Sequence, residues 1–124
     1  MTTGFSGART LMRIFLGEAD HCQSGPHKGK PLYEALLLLL RQEGCAGATA
    51  VRAIAGFGAS ARLHTSKVLR LSSDLPIILE VVDEEPKLQA ILPKIEGMMG
   101  GGLVTMEPVK VIVYRAGKSK GDDG

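Results

Sequence analysis

The chain has 124 residues, 44% of them hydrophobic, with no Trp and few other aromatics, so it should form one domain around an aliphatic core. Its formal charge of +2 argues neither for nor against nucleic acid, but acids and bases alternate along most of its length, whereas a general nucleic-acid binder needs a clustered basic face. Cys22 and Cys45 make no secreted disulfide framework and fit free thiols in a reducing cytosol, while the longest purely apolar run, Ala35 to Leu40, is far too short to span a membrane. A cytoplasmic protein is the expectation.

Residues 1–9 are small and polar, without the apolar stretch of a signal peptide, and read as a flexible leader. Leu11 to Leu16 is strand-like and is closed by Gly17. Residues 18–30, rich in turn formers, read as a loop. Lys30 to Glu43 reads as a helix, with Pro31 in its first turn and Gly44 just past its end. Leu36 to Leu40 makes that helix apolar nearly all round, which requires burial on more than one side.

Ala48 to Ala55 reads as the second strand and Leu75 to Val82 as the third, with Pro76 near its start. Asp83 is a suitable N-cap for a helix from Glu84 to about Met99. Leu88, Ile91, Leu92, Ile95 and Met98 give it an apolar stripe at helical spacing, and Pro93 predicts a kink. Gly100 to Gly102 forms a turn, Leu103 to Met106 reads as a short strand, and Val109 to Tyr114 as the last full strand. Residues 117–124 read as a flexible tail, leaving 10–116 as the domain.

The order βαββαβ predicts an α+β, ferredoxin-like fold: a four-stranded antiparallel sheet with two helices on one face. Alternation places Met12, Ile14, Leu16, Val51, Ala53, Ile77, Leu79, Val81, Val109, Val111 and Val113 toward the helices. The other face then carries Arg13, Phe15, Arg52, Ile54, Ile78, Glu80, Val82, Lys110, Ile112 and Tyr114. Apolar groups mixed with charges that can pair suit a subunit interface better than a plain solvent face, so a homo-oligomer is expected.

The long connection from Gly56 to Asp74 exceeds the usual loop length and carries Arg62, His64, Lys67 and Arg70 with no acid before Asp74. These residues are candidates for contact with an anion or an acidic partner. The Gly-rich turn, Gly100, Gly101 and Gly102, is a candidate backbone cradle for an anion or, equally, a helix C-cap. Asp20, His21, Cys22 and His27 form a metal-like cluster at non-standard spacing, which supports an alternative reading as a metal-binding or metal-responsive protein. Ser60, Ser66, His64 and Asp74 supply catalytic residue types, but no motif pairs them, and an enzyme is not expected.

Three runs carry a resemblance: GKPLYEALL (29–37), AGATAVRAIAGFGASARLHTSKVLRLSSDLPIILEVVD (46–83) and GLVTMEPVKVIVYR (102–115). They resemble the family called domain of unknown function 190, grouped with the PII-like signalling proteins. The resemblance covers nearly everything from Leu11 to Arg115. It implies a cytosolic trimer with the bare sheet face inward. It also implies an adenine nucleotide between subunits, and residues 56–74 as the counterpart of the partner-contacting T-loop. By the same resemblance Gly56, Phe57 and Gly58 stand at the loop base, while Gly100 to Gly102 and Arg115 supply the other ligand contacts. Ala59 replaces an Arg of the PII pattern, the Gly-rich turn lacks its Lys, and Val113 takes the place of a second Arg. Family members are often encoded beside fluoride-channel proteins, which implies a membrane transporter or channel as partner.

Overall fold

The computed structural model describes residues 4–58, 63–65 and 74–117. In chain order it contains β1 (Gly4–Gly17), α1 (Leu32–Gln42), β2 (Ala48–Arg52), β3 (Ala55–Gly56), β4 (His64–Thr65), β5 (Pro76–Asp83), α2 (Glu85–Met98) and β6 (Leu103–Arg115). Four strands form an antiparallel sheet in the order β2-β5-β1-β6, and β3 and β4 form a separate two-stranded ribbon. Both helices pack on one face of the sheet, the α+β, ferredoxin-like arrangement expected from the element order.

The sequence explains the helix ends. Pro31 is the N-cap of α1, with φ −51°, and Gly44 takes φ +83° just beyond the C-cap residue Glu43. Glu34 in the first turn and Arg41 in the last complement the helix dipole. At α2 the cap is Glu84 rather than Asp83. Asp83 stays in β5, where its Oδ1 accepts the Glu84 N–H at 2.8 Å and its Oδ2 faces Lys87 Nζ at 3.5 Å. Pro93 lies on the exposed side of α2, which runs through it as one helix.

Met12, Ile14 and Leu16 of β1 and Ile77, Leu79 and Val81 of β5 face Leu36, Leu40, Leu88, Ile91 and Ile95 of the helices, all buried. Truncating one of these leucines to Ala should cost roughly 2–5 kcal/mol, because the neighbours collapse only partly into the space left.

Register corrects the expected faces of the two edge strands. Residues directly opposite one another in antiparallel strands share a face. Ala48 and Ala50 stand opposite Val81 and Leu79, so these alanines face the helices, while Val51 stands opposite Ile78 on the open face and is 48% exposed. Arg52 opposes Ile77 and so belongs to the helix side. In β6, Val104 and Met106 oppose Ile14 and Met12, which puts Val109 and Val111, opposite Arg9 and Gly7, on the open face and Lys110 on the other. Taken alone the run Val109 to Tyr114, with its three valines in one phase and Lys110 in the other, argues for the opposite phase. The phase comes from Val104 and Met106, because β6 continues through Pro108 without a break. Pro108 is tolerated there because β6 is an edge strand.

The N-terminal segment is also corrected. Gly4 to Arg9 is not a loose leader but the first part of β1, paired with β6 from Val109 to Arg115. β5 pairs with β1 only from Thr10 onward, so beyond that point two strands project alone as an arm. Phe5 stacks on Tyr114 with ring centroids 4.8 Å apart, and the Arg9 guanidinium lies 4.4 Å above the Phe5 ring.

The open sheet face carries Leu11, Phe15, Ile78, Val82 and Val109, with Arg13 near its centre. Arg13 Nε donates to Glu80 at 2.8 Å and its Nη1 donates to Glu107 at 2.6 Å. These bonds, that to Glu80 foremost, hold the Arg13 charge more firmly than in a free side chain.

Candidate functional site

One end of the sheet gathers the last residues of β1 and β2 and the first residues of β5 and β6. At the β2 edge, the Ala53 N–H donates to the Pro76 carbonyl at 2.8 Å, and the chain then leaves the sheet. Ala55 and Gly56 pair with Thr65 and His64, so Gly-Phe-Gly opens a two-stranded stem. Gly56 is there for steric reasons: a Cβ would lie 2.9 Å from Pro76 Cγ. Phe57 is 67% exposed, and a Cβ on Gly58 would meet open space. Of the basic residues singled out in the long connection, His64 falls in β4. Arg62, Lys67 and Arg70 lie outside the described residues.

The glycine turn sits at the β6 edge of the same end. Gly102 has φ +127°, and a Cβ there would lie 2.6 Å from both the Phe15 carbonyl oxygen and Met99 Cε. No other residue fits without moving backbone. Gly101 faces open space. The turn borders a cavity of about 480 Å³ lined also by Leu92, Glu96, Met99, Val104 and Met106.

Because β5 and β1 lie between β2 and β6, the two glycine elements are three strand spacings apart, roughly 14 Å. Arg115 is further still. It stands opposite Gly4 at the other end of β6, about 40 Å along the strand from Leu103. A single chain therefore does not bring Gly56 to Gly58, Gly100 to Gly102 and Arg115 together.

The metal-like cluster is dispersed. Cys22 is 2% exposed, belongs to the hydrophobic core, and donates its thiol to the Ser24 carbonyl at 3.1 Å, whereas His21 is exposed. Among the described residues, no group of three His, Cys, Asp or Glu side chains is placed to hold a metal ion. Cys22 acts as a small core residue.

A second cavity, about 510 Å³, lies between α1 and β2 against Glu34, Leu37, Leu38, Arg41 and Cys45. Burial pushes the Cys45 thiol up, away from the reactive thiolate.

The bonds that tie the start of the 18–31 segment to the stems of the long connection have no signal in the sequence, because their partners lie far apart along the chain. The Glu18 N–H donates to the Leu75 carbonyl at 2.8 Å, and the Ala19 N–H donates to Asp74 Oδ1 at 3.0 Å. Arg52 Nε donates to Glu18 Oε1 at 3.2 Å. Glu18 and Asp74 were visible as acids, but nothing in their spacing joined them.

This fold, with a long connection between the edge strand β2 and its neighbour β5 at one end of the sheet, is that of PII-like proteins. It matches the structure of CPII from Thiomonas intermedia K12, a nitrogen regulatory PII-like protein bound to ADP, AMP and bicarbonate. The TM-score is 0.56 at 20% identity, over 86% of this chain and 91% of that one. CPII bound to ADP and bicarbonate matches with a TM-score of 0.52 at 22% identity, over the same shares of the two chains. Residues 9–111 match the family DUF190, described as Uncharacterized ACR, and the chain belongs to that family. A UPF0166 protein of Aquifex aeolicus is 39% identical over 104 residues, 84% of this chain and 93% of that protein. Another from Methanocaldococcus jannaschii is 33% identical over 95 residues, 76% of this chain and 82% of that one. Among the described residues, no helix is long and apolar enough to cross a membrane.

Proposed function

We propose that this chain is a PII-like regulatory protein that binds an adenine nucleotide between copies of itself and signals through the long connection 56–74. The observation that carries this reading is the placement of the two glycine elements. Gly56 to Gly58 and Gly100 to Gly102 stand at the same end of the sheet on opposite edges. They serve one ligand when a cyclic assembly sets the β2 edge of one copy beside the β6 edge of the next. Arg115, at the far end of β6, joins that cleft only where the β1–β6 arm of a further copy reaches it. The assembly also covers the open face, where Arg13, Glu80 and Glu107 are already paired and so enter an interface at lower cost. A trimer is the assembly proposed.

CPII, a relative in fold, is bound to ADP, AMP and bicarbonate, which supports an adenine nucleotide here. Ala59, Val113 and a Gly-rich turn without Lys give this cleft fewer cations than the PII pattern, which favours ADP or AMP over a more highly charged nucleotide. Arg62, His64, Lys67 and Arg70 are assigned to an acidic surface on a partner, a membrane transporter or channel among the candidates. The role is regulatory rather than catalytic. Calorimetric titration with ADP, AMP and ATP, each with and without bicarbonate, tests the ligand. Saturable heat with ADP or AMP is expected, and no heat with any of the three overturns the assignment.

A further inference from the structure

The connection between β1 and α1, residues 18–31, touches both glycine elements' surroundings. At one end it grips both stems of the long connection: Glu18 holds Arg52 at 3.2 Å and Leu75 at 2.8 Å, and Ala19 holds Asp74 at 3.0 Å. In its middle it grips the end of α2 and the glycine turn. The Gln23 N–H donates to the Met98 carbonyl at 2.9 Å, Ser24 Oγ donates to the Gly97 carbonyl at 2.6 Å, and the Gln23 side chain lies against Gly100.

Between these grips the segment is braced. Asp20 Oδ2 accepts the Gly17 N–H at 2.9 Å, and the Asp20 carbonyl accepts the Leu32 N–H at 2.8 Å. Cys22 is bonded in both directions, its N–H to Lys30 at 2.8 Å and its carbonyl to Gly29 at 2.9 Å, with its side chain sunk in the core. Only five residues separate Glu18 from Ser24, and Cys22 between them is sunk in the close-packed core, so the segment is held at both ends and near its middle.

We propose that Glu18–Ser24 is a coupling strap. It links the glycine turn at the β6 edge to both stems of the long connection at the β2 edge, so that what happens at one is felt at the other within a single chain. As a route from ligand to loop it rests on the proposed role of Gly100 to Gly102, but the mechanical link does not. Coupling of this kind is reciprocal: loosening either end loosens the other.

Hydrogen–deuterium exchange tests the strap without ligand. Ser24→Ala removes the grip on Gly97, and Glu18→Gln weakens the grip on Arg52. Ser24→Ala is expected to speed exchange at the Glu18, Ala19 and Ala53 amides by about fivefold, the consequence of losing one ordinary hydrogen bond from a shared opening unit. Glu18→Gln is expected to speed exchange at Gln23 and Met99. Lys94→Ala, which removes the ion pair to Glu43 elsewhere, should change neither set. Acceleration confined to the mutated end in either variant overturns the strap. A second arm adds ADP: protection of the Glu18 and Ala53 amides in the unmutated chain should shrink in Ser24→Ala. If ADP does not bind, the ligand assignment fails while the ligand-free exchange still decides the strap. If ADP binds and protects those amides equally in both proteins, the strap fails and the ligand assignment stands.

Discussion

Gly101 and Gly102 are neighbours with opposite requirements. Gly102 needs a positive φ and has the Phe15 carbonyl where a Cβ would go, while Gly101 has open space. Gly102→Ala should therefore lower unfolding free energy by about 1–3 kcal/mol, whereas Gly101→Ala should change it by less than ~0.5 kcal/mol. Equilibrium denaturation of the two variants checks the pair. In the sequence both are letters in one Gly-Gly-Gly run, and the turn was legible but its anchor was not. The same holds for Gly56, whose reason is Pro76, twenty residues away in sequence. Cys22 is a metal candidate by residue type, which a sequence shows, and a core residue by burial, which it does not.

Among elements, β1 and β6 depart furthest from expectation. The strand core at Leu11 to Leu16 is legible from its alternation, but the glycines and small polar residues of Gly4 to Arg9 carry little strand signal. Pairing with β6 overrides that weak preference. Deleting residues 1–9 should therefore do more than remove a tail. It would strip the partners of Val109 to Arg115, uncover Ile112 and Val113 further, and cost on the order of 2 kcal/mol from several lost cross-strand pairs. A clear fall in Tm against the full chain is expected, and an unchanged Tm would show the arm to be dispensable. The helices were the most legible elements, because Pro31, Gly44 and the leucine spacing each state a local rule that packing did not need to overrule.

At the scale of the whole molecule, the sequence suggested an interface on the open face, and the structure keeps a mixed face there with a different membership. Val51, Val109 and Val111 join it, and Arg52 and Lys110 leave it. Arg13 with Glu80 and Glu107 is half exposed in one chain and, as a surface network, should be worth little to it. In the proposed assembly the same network would be buried, and breaking it would leave two uncompensated carboxylates. Arg13→Ala is thus expected to leave the fold intact but weaken self-association, which light scattering across concentrations would reveal as loss of the trimer. A monomeric parent chain at tens of micromolar would contradict the assembly outright.

The central claim is that one nucleotide is held between the two glycine elements of adjoining copies. A Cβ on Gly101 meets open space, so Gly101→Phe is expected to reach into the cleft, with Tm as the check that the fold is kept. Calorimetric titration of ADP into the parent chain and into Gly101→Phe, with Tm measured on both, is the most direct measurement. The account predicts saturable binding in the parent, its loss in Gly101→Phe, and closely similar Tm values. ADP binding that is undiminished in Gly101→Phe, or absent from the parent chain, would contradict it.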